Sequence, residues 1–489
     1  MSDIGGRDLV EAWRPLAEKA LKGLPLDTLN TVTADGLCLA PLHAPADPVY
    51  AGRSAHGDWR VLQRIDEDEG AARQALEDLA NGATCLAVVF AGAPTGFGRG
   101  LLADTVDALD AVLGGVHLDH CALHIEAGAR GIEAFALVTA LAWRRGTPLL
   151  SLHAGIDPLG AFAADGTMAR WEEIVPRLAG AVRTARDISG IATLLRADGR
   201  PLAEAGATPA QELAFALASA TAAARALDGE GIRADETLPL VQMALCANQD
   251  QFATIAKLRA ARRLWRMVTD ACGIAAPLTL HVSTSRRMLS WGDPQTNLLR
   301  LTVAAFAAGA GGADSVTVLP FDAAASPFAR RLSRNIQTLL LEEAHVAELA
   351  DPAAGAGAIE TYTDGIAAAA WEIFKAHEAE GLANRIASGA VAEAVARAAD
   401  AAEAAAASGD RPIIGVTHHP PANPAPVPDE TPRAAPTTRR KAVAEDTFEA
   451  LVAAAADGAT LADLSAALPA AALDAPPLRP TRAAAPFEG

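Results

Sequence analysis

The sequence predicts an α/β fold: a (β/α)8 barrel of the TIM type, preceded by an N-terminal arm and followed by a helical, Pro-rich extension. Two observations lead there. From about Cys85 to Phe374, short β-branched or aliphatic runs alternate with amphipathic Ala- and Leu-rich stretches, the rhythm of repeated β-α units. Most of the runs are continuously apolar rather than alternating, as expected of strands covered on both faces. Eight such runs fit the span, which suits a barrel of ~250 residues with insertions. An open doubly wound sheet is the alternative, because periodicity does not show closure. No Gly-x-Gly-x-x-Gly pattern follows a strand, which weighs against a dinucleotide-binding version of that sheet.

The elements follow in order. Residues 1–32 form the arm, in which Asp8 to Lys22 carries apolar residues at helical spacing, interrupted by Pro15 and ended by Gly23. Such an arm needs a surface to bury against, its own barrel or a partner. Residues 33–385 form the barrel. Its eight predicted strands are Cys85 to Phe90, Leu118 to Ile125, Pro148 to His153, Ile191 to Arg196, Leu238 to Cys246, Leu278 to Ser283, Ser315 to Leu319 and Ala358 to Tyr362. Residues 386–418 add a helical segment and a short strand-like run, Arg411 to Val416. In 419–489 the Pro density from His419 to Arg433 forbids regular helix and describes an extended linker. Thr447 to Leu468 follows as a short helical stretch, and Ala475 to Gly489 reads as a loosely held end.

With 51% hydrophobic residues the chain can bury a large core. A net charge of -18 argues against nucleic acid or an anionic membrane as partner. No stretch offers the ~20 strongly apolar residues of a membrane helix. The opening residues lack the basic-then-apolar pattern of a secretory signal, which points to a cytoplasmic protein. The cysteines, Cys38, Cys85, Cys121, Cys246 and Cys272, are odd in number and form no Cys-x-x-Cys pair, so they read as small hydrophobes rather than disulfides or a zinc site. His124 and His281 lie in predicted strands and read as residues satisfying buried hydrogen bonds. His418 and His419 sit in the linker and read as solvated, so no metal site is expected.

Several segments, in order, carry a resemblance. The most specific is Ile255-Ala256-Lys257-Leu258-Arg259-Ala260-Ala261-Arg262-Arg263-Leu264-Trp265. Thr33 to Leu42, Glu204-Ala205-Gly206-Ala207, Arg331 to Gln337, and Glu360 to Thr363 with Trp371, Phe374, Glu378 and Gly381 accompany it. Together they resemble the methylmalonyl-CoA mutase family, from the arm to about Val416. The resemblance implies a barrel that binds acyl-CoA down its axis and meets adenosylcobalamin, carried by a separate C-terminal domain, across its mouth.

Measured against that pattern, the reactive positions are missing. Where the resemblance implies a carbonyl-polarising histidine in Tyr-His-x-x-Glu-Ala-Gly-Ala, this chain reads Arg200-Pro201-Leu202-Ala203-Glu204. Pro201 has neither a side-chain donor nor an N–H. Where it implies the tyrosine of Trp-x-Ile-Arg-Gln-Tyr, the chain reads Trp59-Arg60-Val61-Leu62-Gln63-Arg64, placing a charge where an aromatic wedge is expected. No Asp-x-His-x-x-Gly, the family's source of a cobalt-ligating histidine, occurs from Met1 to Gly489, so a cobalamin-binding domain is expected to be lacking. Arg482 to Glu488 resembles the segment leading into that domain.

The resemblance therefore implies a small (beta) subunit without catalytic or cofactor-binding residues of its own. Its partner would be a large catalytic chain that carries adenosylcobalamin, the two forming a heterodimer that interconverts methylmalonyl-CoA and succinyl-CoA. Acyl-CoA would be met through the complex. An active mutase subunit served by a separately encoded cobalamin domain, and an acyl-CoA-binding regulatory barrel, are the alternatives. Lys257, Arg259 and Arg334 are the candidates for a residual CoA-phosphate surface, although basic residues on helix faces are commonplace.

Overall fold

The fold is described from a computed structural model, which covers residues 6–53, 57–428, 433–441, 443, 447–468 and 470–488. Positions 429–432 of the expected linker therefore lie outside the described residues.

Eight parallel strands close into a barrel in chain order: β1 Arg60–Ile65, β2 Cys85–Val89, β3 Ala122–Glu126, β4 Ser151–Ile156, β5 Ile191–Asp198, β6 Val241–Ala247, β7 Thr279–Thr284 and β8 Ser315–Thr317. Pairing of Ser315 with Arg60 and Thr317 with Leu62 joins the last strand to the first and excludes the open sheet. Seven of the strands overlap the predicted runs. The eighth predicted run, Ala358 to Tyr362, is helical, and the strand missing from the prediction is β1.

Both differences have a physical cause. Ile359, Tyr362, Thr363, Ile366, Ala370, Phe374 and His377 are buried at helical spacing within one long helix, Gly357–Glu380, so the β-prone Ile-Glu-Thr-Tyr stretch is overridden by its continuation. In β1 the polar Gln63 and Arg64 are themselves buried, which hides the strand from a reading based on apolar runs.

The arm carries α1 Gly6–Ala20, and helices surround the barrel, among them α2 Ala71–Ala80, α3 Val106–Val112, α4 Gly131–Arg145, α5 Trp171–Ala185, α6 Pro209–Gly229, α7 Gln251–Ala271, α8 Pro294–Ala310, α9 Pro327–Glu342, α10 Gly357–Glu380, α11 Ala390–Ser408 and α12 Phe448–Ala456. Leu86, Val88, Leu123 and Ile125 point outward into one large core shared with these helices. Leu62, Cys85, Ala87, Val89 and Ala122, in the alternate register, form a separate interior cluster. Trp59 is buried at the foot of β1 and its indole donates to Gln337 Oε1 at 3.2 Å. A Cβ at Gly309 would stand 2.6 Å from that ring, so only glycine lets α8 approach there.

The two ends of the chain behave differently. In the arm, α1 continues through Pro15, and no described residue from 10 to 50 is fully buried. The C-terminal extension, by contrast, is held. Ala425 N–H donates to Gly292 O, Arg433 reaches Gly100 O and Asp68, and Phe448 of α12 stacks on Phe135 of α4 with centroids 5.0 Å apart. The end expected to be loose is docked as well. Thr481 N–H bonds Glu204 O, Ala483 N–H bonds Arg287 O, and Glu488 accepts from Ser290 Oγ and the N–H groups of Trp291 and Gly292. Sequence-local reasoning misses this because each anchor lies far away along the chain. Arg411 to Val416 forms no strand, only an isolated bridge from Ile414 to His418.

Candidate functional site

Ligands of such barrels sit at the C-terminal ends of the strands, so the candidate site is the mouth ringed by Asp66, Glu126, Asp157, Asp198 and the segment after β7. Alternation along each strand turns every second residue inward, and here many of those are polar. His124 of β3 lies against His153 of β4, ring centroids 4.2 Å apart, and against His281 of β7, 5.3 Å away across the interior. His153 Nδ1 meets Thr193 Oγ1 at 2.8 Å, and His281 Nδ1 meets Ser315 Oγ at 2.9 Å. The hydrogen-bonded role expected of His281 is seen. His124 differs: neither ring nitrogen has a hydrogen-bond partner among the described residues. Burial first, then the neighbouring imidazoles and Arg196, hold His124 well below the usual histidine range. His153 is pushed down to about 3 by burial, Arg196 and Arg60.

Above the histidines lies an ionic layer. Arg196 donates to Gln242 Oε1 and to Ile125 O, and pairs with Glu126 at 3.0 Å. Arg200 grips the same carboxylate with both terminal nitrogens, at 3.1 and 2.9 Å, and also bonds Asp198. Burial would raise Glu126, but Arg196 and Arg200 overcome it and lower its pKa strongly. Asp157 is pushed up to about 7 by burial and then by Asp198, while accepting hydrogen bonds from Gly160 N, Ser219 Oγ and Asp198 N. The axis is thus occupied by the protein's own side chains. Pro201 opens the short helix Arg200–Ala205, and the cavity it lines with Glu126, Arg196 and Asp198 holds about 20 Å3, room for little more than a water.

The other reactive position, Arg64, lies at the same end. Its Nε donates to Asp66 at 3.2 Å, and its guanidinium lies 5.6 Å from the Phe97 ring centroid. Arg99 and Arg330 also pair with Asp66. Burial opposes ionisation of Asp66, yet Arg330, Arg64 and Arg99 together bring it down to about 2. Phe97 sits at φ 53°, a left-handed conformation that costs a residue with a Cβ roughly 1–2 kcal/mol. A cavity of about 170 Å3 remains among Arg64, Arg99, Arg286, Phe97 and Trp291.

Lys257, Arg259 and Arg334 are not brought together, and none of them lines the mouth. Lys257 pairs with Glu212 and bonds Cys246 O, Arg259 pairs with Asp351 and Glu360, and Arg334 pairs with Asp78. All three are buried between elements of the shell, each matched to a carboxylate. The sequence reading also missed Glu126, Arg196 and Arg200. For Glu126 and Arg196 the signal was charged residues at alternate positions of otherwise apolar strands, as in His124-Ile125-Glu126 and Arg196-Ala197-Asp198, whereas Arg200 lies beyond its strand, in the short helix Arg200–Ala205.

A family profile described as Methylmalonyl-CoA mutase matches residues 77–442. The chain is 34% identical over 476 residues to the methylmalonyl-CoA mutase small subunit of Streptomyces virginiae, an alignment covering 89% of this chain and 75% of that one. It is 36% identical over 416 residues to the probable methylmalonyl-CoA mutase small subunit of Mycobacterium tuberculosis (strain ATCC 25618 / H37Rv), covering 77% and 64%. With the methylmalonyl-CoA mutase small subunit of Propionibacterium freudenreichii subsp. shermanii the identity is 31% over 409 residues, covering 75% and 61%. The chain thus spans three quarters of the first relative and less than two thirds of the other two.

Proposed function

The chain belongs to the methylmalonyl-CoA mutase family, and from that premise we propose that it acts as the small, non-catalytic barrel of a cytoplasmic heterodimer, beside a large catalytic chain that interconverts methylmalonyl-CoA and succinyl-CoA. The observation that carries this reading is the filled axis. His124, His153, His281, Arg196 and Arg200 occupy the path along which the resemblance places acyl-CoA, and Pro201 stands where a polarising imidazole would be. A nucleophile or acid in this interior would have no substrate beside it.

Adenosylcobalamin does not fit the mouth as folded. The cavity beside Arg64 holds about 170 Å3, below the ~300–1,000 Å3 of pockets that bury a drug-sized ligand, and a corrinoid is larger still. The chain's own extension also crosses that end, tied by Ala425 to Gly292 and by Arg433 to Gly100. No step of the reaction is routed through this chain, and the cofactor is assigned to the large one.

Co-expression with a large mutase chain tests the proposal. The expected result is a heterodimer whose turnover requires the large chain, while this chain purified alone gives none with added adenosylcobalamin. Mutase turnover from this chain alone would overturn the reading.

A further inference from the structure

The C-terminal extension makes one circuit of the barrel mouth and returns to the residue where the circuit began. Ala425 N–H donates to Gly292 O, in the segment after β7, at 2.9 Å. Pro428 then lines the mouth cavity with Arg64 of β1 and Leu319 beyond β8. Arg433 donates to Gly100 O and Leu461 N–H to Asp104 O, both beyond β2, while Phe448 stacks on Phe135 of α4, after β3. Leu478 N–H donates to Ala163 O after β4, Thr481 N–H to Glu204 O after β5, and Ala483 N–H to Arg287 O after β7. Glu488 closes the circuit, since its Oε1 accepts from Gly292 N–H at 3.1 Å. The N–H and the C=O of one glycine thus hold the two ends of the extension.

Most of these stations rest on a single backbone hydrogen bond, whereas the closing contact is far more fully bonded. Glu488 Oε1 also accepts from Ser290 Oγ and from Trp291 N–H, each at 2.7 Å, so three consecutive residues converge on one oxygen. Its Oε2 pairs with Arg482, which is buried and lies 5.1 Å from the centroid of the Trp291 ring. Backbone N–H groups turned toward one carboxylate form an anion nest, and charge-assisted bonds of this kind are roughly twice as strong as neutral ones. The turn has a second support at its start, where Asn297 of α8 bonds both the N–H and the C=O of Ser290. Glu488 supports the rest of it, Trp291 and Gly292, which presents the carbonyl that Ala425 uses.

We propose that the extension is a belt around the mouth and that Glu488 is its latch. The carboxylate holds the Ser290–Gly292 turn in the shape that captures Ala425, so release of Glu488 also frees the other end of the belt and uncovers the cavity that Pro428 walls. The device lies within this chain and does not depend on its supporting role in a heterodimer.

Amide hydrogen exchange read by mass spectrometry, on the full chain and on Glu488→Ala, tests the latch. Exchange at least tenfold faster is expected at Trp291, Gly292 and Ala425 as well as in 481–488. The barrel strands and α12 should keep their wild-type rates, because Phe448 still anchors the middle of the belt on Phe135. Glu488→Gln retains an acceptor for the nest and loses the charge facing Arg482, so its rates are expected between those of the other two proteins. Faster exchange confined to 481–488, with Ala425 at its wild-type rate, overturns the latch. A uniform increase that includes the strands overturns it as well, since Glu488 would then contribute only to general stability.

Discussion

His124 on β3 and His281 on β7 meet across the barrel interior with ring centroids 5.3 Å apart, although their strands are not neighbours in the sheet. Two protonated rings at this distance would repel, and burial with Arg196 and Arg200 nearby favours the neutral form of both.

Stability should therefore fall on acidification below about pH 6.5. The pKa values of His124, His153 and His281 are depressed in the folded state, so the unfolded chain binds their protons first. Their contribution is fully present above the unfolded value near 6.5 and is lost as pH falls toward the folded values, about 3 for His153. Each contributes a slope of up to ~1.4 kcal/mol per pH unit. Asp157, raised to about 7, works the other way, since its contribution is complete below about pH 4 and is lost as pH rises toward 7. Urea midpoints measured between pH 7.5 and 5.5 should drop, and His124→Phe should reduce the slope. A midpoint that is flat or rises toward pH 5.5 contradicts the buried neutral cluster.

Removing Arg200 should be among the most damaging single changes. Its guanidinium is the bidentate partner of Glu126 and also pairs with Asp198, and all three residues are buried. Arg200→Met leaves buried carboxylate without this partner, at a cost of about 3–5 kcal/mol. Arg200→Lys, which lacks the fork, should recover only part of it. Equilibrium urea denaturation of the three proteins gives the comparison, and a loss below 1 kcal/mol for the methionine variant would refute the ionic layer.

Much of the barrel could be read in the sequence because β2 to β8 are short runs bounded by helical periodicity. β1 escaped for the same reason that makes it informative: Gln63 and Arg64 face buried surroundings, and a local reading assigns polar residues to the surface. Ala358 to Tyr362 failed in the opposite sense, the β-prone Ile359, Thr361 and Tyr362 being outweighed by the helix that continues to Glu380. At the mouth, Pro201 and Arg64 were found as departures from a pattern. Their surroundings depend on which residues other strands turn inward, as when Thr95 from the β2 loop donates to Glu126 of β3 at 2.8 Å, and one strand's sequence does not contain that.

The C-terminal extension should detach when its anchor is cut. Phe448 is fully buried, stacked on Phe135 of α4, and packed at Gly180 of α5, where an added Cβ would come within 3.2 Å of it. Phe448→Ala should cost about 3–5 kcal/mol of local stability and free α12 and the segments beside it. Limited proteolysis should then cleave between residues 433 and 447 at least tenfold faster, while the far-ultraviolet melting temperature of the barrel moves little. Unchanged cleavage would mean that the extension is held mainly by its other contacts.

Restoring the two missing side chains should not restore a reaction. Pro201→His would place a larger ring beside a cavity of about 20 Å3 lined by Glu126, Arg196 and Asp198, so it would crowd these residues, at an overpacking cost of about 1–3 kcal/mol. Arg64→Tyr would remove one of three cations from Asp66 and bring an aromatic ring beside Phe97, but it would not open the axis. Arg196 would still be held by Gln242 and Glu126, and the three histidines below it would remain. The double variant, assayed alone with methylmalonyl-CoA and adenosylcobalamin, should form no succinyl-CoA above background. Detectable product would show that the interior rearranges to admit acyl-CoA, and the filled axis could then no longer support the proposed non-catalytic role.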